Sequence, residues 1–284
     1  MAVSKEAVKD FWERNPLFKG EVDLDPMSRE FIERHEHTYR KDVLAGDFCD
    51  VFFPFLPGAS VLDVGCGPGI WTRELARRGY RTSAVDLTEN AVALARNSLS
   101  MFGLTAEVQT GDAENLPFPN ESFDGVVSHG VIHHTPNTER CIAEMERVLK
   151  PGGVAVVSVY YKNRILRSRT LTRLAALALG GWVALPGRGR GTMLASGDPD
   201  EIVRLYDGSG NPLGKSYTSD QFEAMFRNVG LSVKGGFRYY FPRRAFGPIA
   251  GALAPFQPML ARRFGLMYTV IARKEDRRNK MGGS

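Results

Sequence analysis

The stretch Val61-Leu-Asp-Val-Gly-Cys-Gly-Pro-Gly69 decides how this chain is read. A short, mainly apolar run enters three glycines at alternate positions, and an amphipathic segment opens at once with Ile70. Strand, tight glycine turn and helix form the unit that puts a ligand site at the tip of a strand in α/β sheets. Glycine is needed where the chain turns sharply and a ligand approaches the backbone. The spacing here is GxGxG, whereas a dinucleotide loop reads GxGxxG. The third glycine arrives one residue early, so the loop suits a nucleoside with no pyrophosphate to hold.

Outward from this stretch the pattern keeps its rhythm. Strands are expected at Ser60–Val64, Thr82–Asp86, Ala106–Thr110, Phe123–Ser128 and Val154–Tyr160, with helices near 70–78, 89–101 and 137–149 between them. Such alternation points to a mostly parallel sheet covered on both faces, a Rossmann-like α/β core. Residues 1–57 read as an N-terminal helical lid broken by Pro16 and Pro26, and 58–161 as the core. Residues 162–215 interrupt the rhythm with a basic apolar stretch and then a loop rich in Gly, Asp and Pro. Residues 216–284 resume it, with a helix at 219–229, strands near 231–238 and 267–273, and a second insertion at about 241–266. The polar tail from Lys274 is expected to fray.

Four further signals join the glycine loop. Asp86 ends the second strand, 17 residues after Gly69. A carboxylate there faces the loop after the first strand, accepts from a ribose diol and repels phosphate. Leu87 could pack on an adenine, and Thr88 reads as a helix cap. Gly111-Asp-Ala-Glu114 follows the third strand, where a carboxylate can accept from an adenine amino group. Phe123-Asp-Gly-Val-Val-Ser-His-Gly-Val-Ile-His-His134 carries the fourth strand straight into a polar loop. Leu149-Lys-Pro-Gly-Gly153 reads as a chain reversal before a buried strand.

In this order and at these spacings the five segments resemble the class I S-adenosylmethionine-dependent methyltransferases over residues 58–160. Phe11-Trp-Glu-Arg-Asn-Pro16, Gly130 to Pro136 and Gly214-Lys-Ser-Tyr217 resemble a subgroup of bacterial small-molecule methyltransferases. The resemblance implies seven strands, the last antiparallel and inserted beside the fifth. It implies that Gly65, Gly67 and Gly69 wrap the amino-acid end of the cofactor, with Asp63 and Cys66 in the same loop. Asp86 would take the ribose hydroxyls, Asp112 and Ala113 the adenine with Glu114 beside them, and His129 and Gly130 would lie under the sulfonium. Trp71 stands where the family often has an aliphatic residue; it narrows the cofactor pocket or packs under the lid. Tyr39, in Glu36-His-Thr-Tyr-Arg40, is implied as a cofactor contact or is an ordinary half-buried tyrosine.

The sulfonium donor is already activated, so the protein must align a nucleophile and exclude water. A base helps only if the acceptor carries a proton that must leave. His133 and His134 follow the fourth strand; either one could serve as base or brace the loop, and adjacent side chains diverge, so at most one is expected to face the methyl group. His133 is the preferred one. No metal-ligand spacing stands out, and the three cysteines, Cys49, Cys66 and Cys141, are scattered, against both a disulfide framework and a zinc site.

The 284 residues are 43% hydrophobic and 24% charged, with net charge +5. These values fit a soluble globular enzyme in the cytoplasm. The N-terminus lacks the apolar stretch of a signal peptide, and no run reaches the ~18 apolar residues that span a bilayer. Both insertions are apolar and punctuated by arginine, which leaves the acceptor open. They roof the pocket of a small-molecule methyltransferase, or they rest on a membrane and the acceptor is a lipid or prenylated ring. An RNA methyltransferase would need an RNA-binding module, and none is evident. A non-catalytic cofactor binder is the fourth alternative. Oligomeric state is not readable.

Overall fold

The computed structural model describes residues 3–16, 24–179, 197–242 and 250–276. The chain forms two compact units. One comprises Met1–Phe48, Val159–Ser219 and Phe237–Tyr268; the other comprises Cys49–Ser158, Asp220–Gly236 and Thr269–Ser284.

The sheet has seven strands: β1 (Ser60–Val64), β2 (Arg81–Asp86), β3 (Glu107–Thr110), β4 (Phe123–His129), β5 (Leu149–Tyr160), β6 (Leu231–Tyr239) and β7 (Met267–Lys274), in the order β3-β2-β1-β4-β5-β7-β6. The pairs β1–β2, β1–β4, β2–β3 and β4–β5 are parallel. β7 is antiparallel to β5, because the Tyr161 N–H reaches the Leu266 carbonyl while Arg273 reaches that of Gly152. It is antiparallel to β6 as well, with Leu266 meeting Tyr240 and Glu275 meeting Lys234. The Rossmann-like α/β fold and its reversed last strand are as the sequence led us to expect. β1, β4 and β5 are almost wholly buried and correspondingly apolar, which is what a sheet covered on both faces requires.

Crossover helices α3 (Ile70–Arg77), α4 (Glu89–Met101) and α5 (Thr138–Val148) join these strands. The Thr88 hydroxyl caps α4 by accepting from Ala91 N–H, and Asn137 caps α5 by accepting from Arg140 N–H. Arg73 of α3 is fully buried; it donates to the Pro68 carbonyl and, at 2.9 Å, to Ser98 of α4. The guanidinium therefore braces the glycine turn from beneath.

Two expectations need correction. Leu149–Gly153 is no separate reversal: β5 already starts at Leu149, and the glycines form an irregularity in its pairing with β4, between Phe123–Leu149 and Gly125–Val154. Gly152 takes φ 81 there. Lys274 does not fray; its ammonium ends β7 by donating to the Glu146 carbonyl and pairing with the Glu146 carboxylate. Residues 277–284 lie outside the described residues.

The other unit contains α1 (Lys5–Arg14), α2 (Arg29–Thr38) with a π-helical turn Tyr39–Val43, α6 (Arg169–Leu179), α7 (Pro199–Tyr206), and α9 (Ala250–Leu253) leading through a 3-10 turn to α10 (Gln257–Phe264). In chain order α8 (Ser219–Asn228) precedes β6. Helix α7 falls in a segment read as loop. Its signals were present: Asp198 accepts from the Asp200 and Glu201 N–H groups, and Pro199 occupies the first turn. The Gln257 amide donates to the carbonyls of Lys41 and Asp42, and the Asn163 amide to that of Phe264. These bonds join the N-terminal helices to both insertions. Four of the arginines that punctuate the two insertions, Arg188, Arg190, Arg243 and Arg244, lie outside the described residues.

Candidate active site

The glycine turn leaves β1 with Gly65 and Cys66 N–H both on the Val85 carbonyl of β2, at 2.8 and 3.0 Å. Gly65 takes φ 81, and a Cβ there would stand 2.3 Å from Val131 Cγ1. Gly69 takes φ 83 with Ala95 and Ser98 of α4 at 3.1 Å from such a Cβ. The turn is thus a glycine cradle both by backbone conformation and by close approach.

Asp86 is tied into it. One carboxylate oxygen accepts from Gly67 N–H at 2.9 Å; the other accepts from the Thr88 N–H at 3.0 Å and hydroxyl at 2.8 Å. Leu87 beside it is half-buried. Asp112 accepts from Glu114 N–H, closing a turn after β3. Glu114 turns its own carboxylate to Asn137 N–H at 2.7 Å and so fastens this loop to the start of α5; Ala113 is half-buried between them.

Asp63 is 2% exposed and accepts from the Thr72 hydroxyl at 2.7 Å. Burial pushes its carboxyl up to about 7, the Thr72 bond works against that, and the Asp86 charge adds to it. The folded value lies above the unfolded one near 4, so the associated stability is present in acid and is lost as pH rises through about 7. Thermal unfolding of the ligand-free protein from pH 5 to 8 should show a loss of a few kcal/mol that Asp63→Asn removes. Parallel pH curves for the two proteins would refute this. Cys66 is buried, and burial raises its thiol well above the usual range, so it is an inert wall of the loop.

At the end of β4 the structure assembles an aromatic group. Trp71 stacks on His129 with ring centres 3.6 Å apart, and Phe52 meets both rings edge-on at 5.1 and 5.3 Å. Trp71 therefore packs on the residue expected under the sulfonium. Gly130 follows with φ 78, its N–H on the Ser158 carbonyl. His133 and His134 are both buried in a 3-10 turn, and their rings lie 4.2 Å apart. The expectation that these two side chains diverge is corrected: the turn brings them side by side. Tyr39 belongs to the other unit, stacked 6.4 Å from Phe48.

Sequence reading missed Phe52, Arg73, Ser98, Ser158 and Thr269. The signal for the last two was a hydroxyl inside an otherwise apolar strand, in VAVVSVY and MYTVIA, because a buried hydroxyl needs a partner.

The site lies where the strand order reverses, beyond the carboxyl ends of β1 and β4, the place where open α/β sheets bind ligands. The glycine cradle, the acid at the tip of β2 and the absence of any basic phosphate clamp within this turn fit a sulfonium nucleoside. Residues 62–157 match the family model described as a methyltransferase domain. A ubiquinone biosynthesis O-methyltransferase of Paramagnetospirillum magneticum is 30% identical over 226 residues, 79% of this chain and 77% of that protein. A demethylmenaquinone methyltransferase of Tropheryma whipplei is 38% identical over 108 residues, 38% of this chain and 44% of the relative. Among solved structures, an S-adenosylmethionine-dependent methyltransferase of Methanosarcina mazei shares the fold with a TM-score of 0.58 at 20% identity, over 81% of this chain and 99% of that one. Family match, relatives and fold agree with the geometry of the turn: the chain belongs to the class I S-adenosylmethionine-dependent methyltransferases.

Proposed function

We propose that this methyltransferase acts on a small, ring-bearing acceptor, at oxygen or nitrogen with carbon as the alternative atom. The observation that carries this reading is the aromatic, uncharged wall of Phe52, Trp71 and His129 beside the glycine cradle. Such a wall receives a flat apolar ring and excludes water. Two relatives methylate quinone precursors by their names, which supports the same class. In this reading Gly65, Gly67 and Gly69 hold the amino-acid end of S-adenosylmethionine, and Asp63 meets its ammonium. Asp86 takes the ribose diol; Leu87, Asp112 and Ala113 line the adenine. Glu114 acts through the loop it fastens. S-adenosylhomocysteine is the product.

The test is a panel assay that measures S-adenosylhomocysteine release with 3,4-dihydroxybenzoate, menadiol and a prenylated catechol, against bulk tRNA. Turnover of a ring acceptor and none of tRNA is expected; the reverse result overturns the reading.

A second reading concerns location. No described helix is long and apolar enough to cross a membrane. Residues 147–197 and 224–274 nevertheless hold nine basic residues each and not one acidic residue. Within the described parts, Leu171, Leu174, Phe256 and Met259 are exposed beside Arg173, Arg262 and Arg263. We read this as a cytoplasmic enzyme that touches anionic membranes peripherally. Sedimentation with phosphatidylglycerol vesicles should exceed that with phosphatidylcholine at least tenfold and fall in high salt and in R262E/R263E. Equal sedimentation with both lipids would remove the membrane contact and leave the ring-methylation reading in place.

A further inference from the structure

His129 has one ring nitrogen engaged and one that is not. Its Nδ1 lies 2.7 Å from Ser158 Oγ on β5, and Ser158 Oγ lies 2.9 Å from Thr269 Oγ1 on β7. Both hydroxyls are fully buried. Trp71 stacks on one face of the ring, within 19° of parallel, and Phe52 stands edge-on to it. The residue is 9% exposed, and Nε2 is buried with no hydrogen-bond partner among the described residues. A buried polar atom left unpaired costs about 1–3 kcal/mol. Native proteins keep few of them, and each calls for a reason. Ionisation offers the ring no way out, because burial pushes its conjugate acid down to about 3. The ring is neutral at physiological pH.

We propose that Nε2 of His129 accepts the proton of the acceptor's reacting O–H, and that Ser158 and Thr269 are the positioning residues that hold the ring for it. The proposal rests on the methyltransferase reading of the site and requires nothing of His133 or His134. For Nε2 to accept, the ring proton must sit on Nδ1 and be donated to Ser158 Oγ, which can pass its own hydrogen to Thr269 Oγ1. Two buried hydroxyls on separate strands thus fix tautomer and ring plane together, and the Trp71 stack blocks rotation out of that plane.

A neutral ring is what the position demands. S-adenosylmethionine supplies a methyl group made electrophilic by the positive sulfur, and an imidazolium beside that charge would be repelled. As the acceptor oxygen forms its bond to the methyl carbon, the S–C bond breaks with its electron pair staying on sulfur. The O–H bond breaks and its proton goes to Nε2. The site carries one positive charge before and after, first on sulfur and then on the ring. Weak basicity is no obstacle, because an oxygen that has gained a methyl while still protonated is far more acidic than this imidazolium. After the product leaves, the ring returns its proton to water.

The experiment has two arms. In the first, nitrogen NMR of histidine-labelled protein at pH 7, with S-adenosylhomocysteine bound, reports the tautomer. The proposal expects a His129 signal protonated at Nδ1 and bare at Nε2, shifted toward the Nε2-protonated form in Ser158→Ala. A proton found on Nε2 in the parent overturns it. In the second arm, His129→Phe keeps a ring against Trp71 but removes both nitrogens. Calorimetry with S-adenosylhomocysteine should stay within about threefold of the parent. With the ring acceptor that turns over, kcat should fall by at least a hundredfold at little-changed KM, the range a general base supplies. A kcat within threefold of the parent overturns the proposal. So does a loss of S-adenosylhomocysteine affinity that accounts for the whole defect, since His129 would then be a cofactor wall. If the parent itself binds no S-adenosylhomocysteine, the methyltransferase reading of the site fails first and takes this assignment with it.

Discussion

Gly65→Ala is expected to lower global stability by about 2–5 kcal/mol and to weaken S-adenosylhomocysteine binding at least a hundredfold. Two costs combine. The left-handed backbone at φ 81 costs a residue with a Cβ roughly 1–2 kcal/mol. The new Cβ would also stand 2.3 and 2.4 Å from the two Val131 methyls and 2.8 Å from Val131 Cβ. Overpacking of this kind costs about 1–3 kcal/mol, and a β-branched side chain has little freedom to swing aside. What shifts instead is the backbone at Val131, one residue past Gly130, so the strain enters the glycine turn and the end of β4 together. Gly79→Ala is the control. Gly79 has nearly the same φ, 79, but a Cβ there would meet nothing within 4 Å, so only the backbone cost applies and cofactor affinity should not change. Adding Val131→Ala to Gly65→Ala should recover at least 1 kcal/mol, a coupling expected only of residues in contact. Urea unfolding and calorimetry check all three. A Gly65→Ala protein that binds within threefold of the parent would mean that the turn is not the cofactor cradle.

The parts of this molecule legible in its sequence are those written in local, repeating terms. β1 and β5 announce themselves by apolar runs, and the glycine turn by a spacing that only a backbone with positive φ explains. Asp86 could be placed because a strand tip is a defined position once the strand is found. The helix α7 was legible in principle, with Asp198 and Pro199 as start signals, but a run of Gly, Asp and Pro around it hid them. Other features depend on pairs distant in sequence. Ser158 and Thr269 are 111 residues apart, and only the insertion of β7 beside β5 brings their hydroxyls together. Phe52 lies in a segment whose helical pattern gave no reason to set it against Trp71 and His129. Glu114 shows the converse problem. Its neighbours mark a ligand loop, yet its carboxylate reaches Asn137, 23 residues on, and serves the loop. The acceptor is the least legible feature, because the insertions at 162–215 and 241–266 carry no residue spacing that one particular acceptor would require.

Asp86→Ala is expected to weaken binding of S-adenosylmethionine and S-adenosylhomocysteine by about 1.5–3 kcal/mol, or ten- to somewhat over a hundredfold. The carboxylate does two things that alanine cannot. It offers charge-assisted bonds to a ribose diol, and it already fixes the geometry that makes them useful through Gly67 N–H and the Thr88 hydroxyl. Asp86→Asn keeps one acceptor oxygen and should fall between the parent and Asp86→Ala. Neither variant should gain NAD, because the turn remains GxGxG with no room made for a pyrophosphate. A second readout separates loss of contact from local unfolding. The Asp86 charge is one of the causes that raise the Asp63 carboxyl, so removing it should move the pH-dependent loss of stability assigned to Asp63 to lower pH. A folded Asp86→Ala protein with that shift and with weakened cofactor binding supports the placement of both acids. Unchanged cofactor affinity would show that the tip of β2 does not face the ribose, and it would do so whatever the acceptor proves to be.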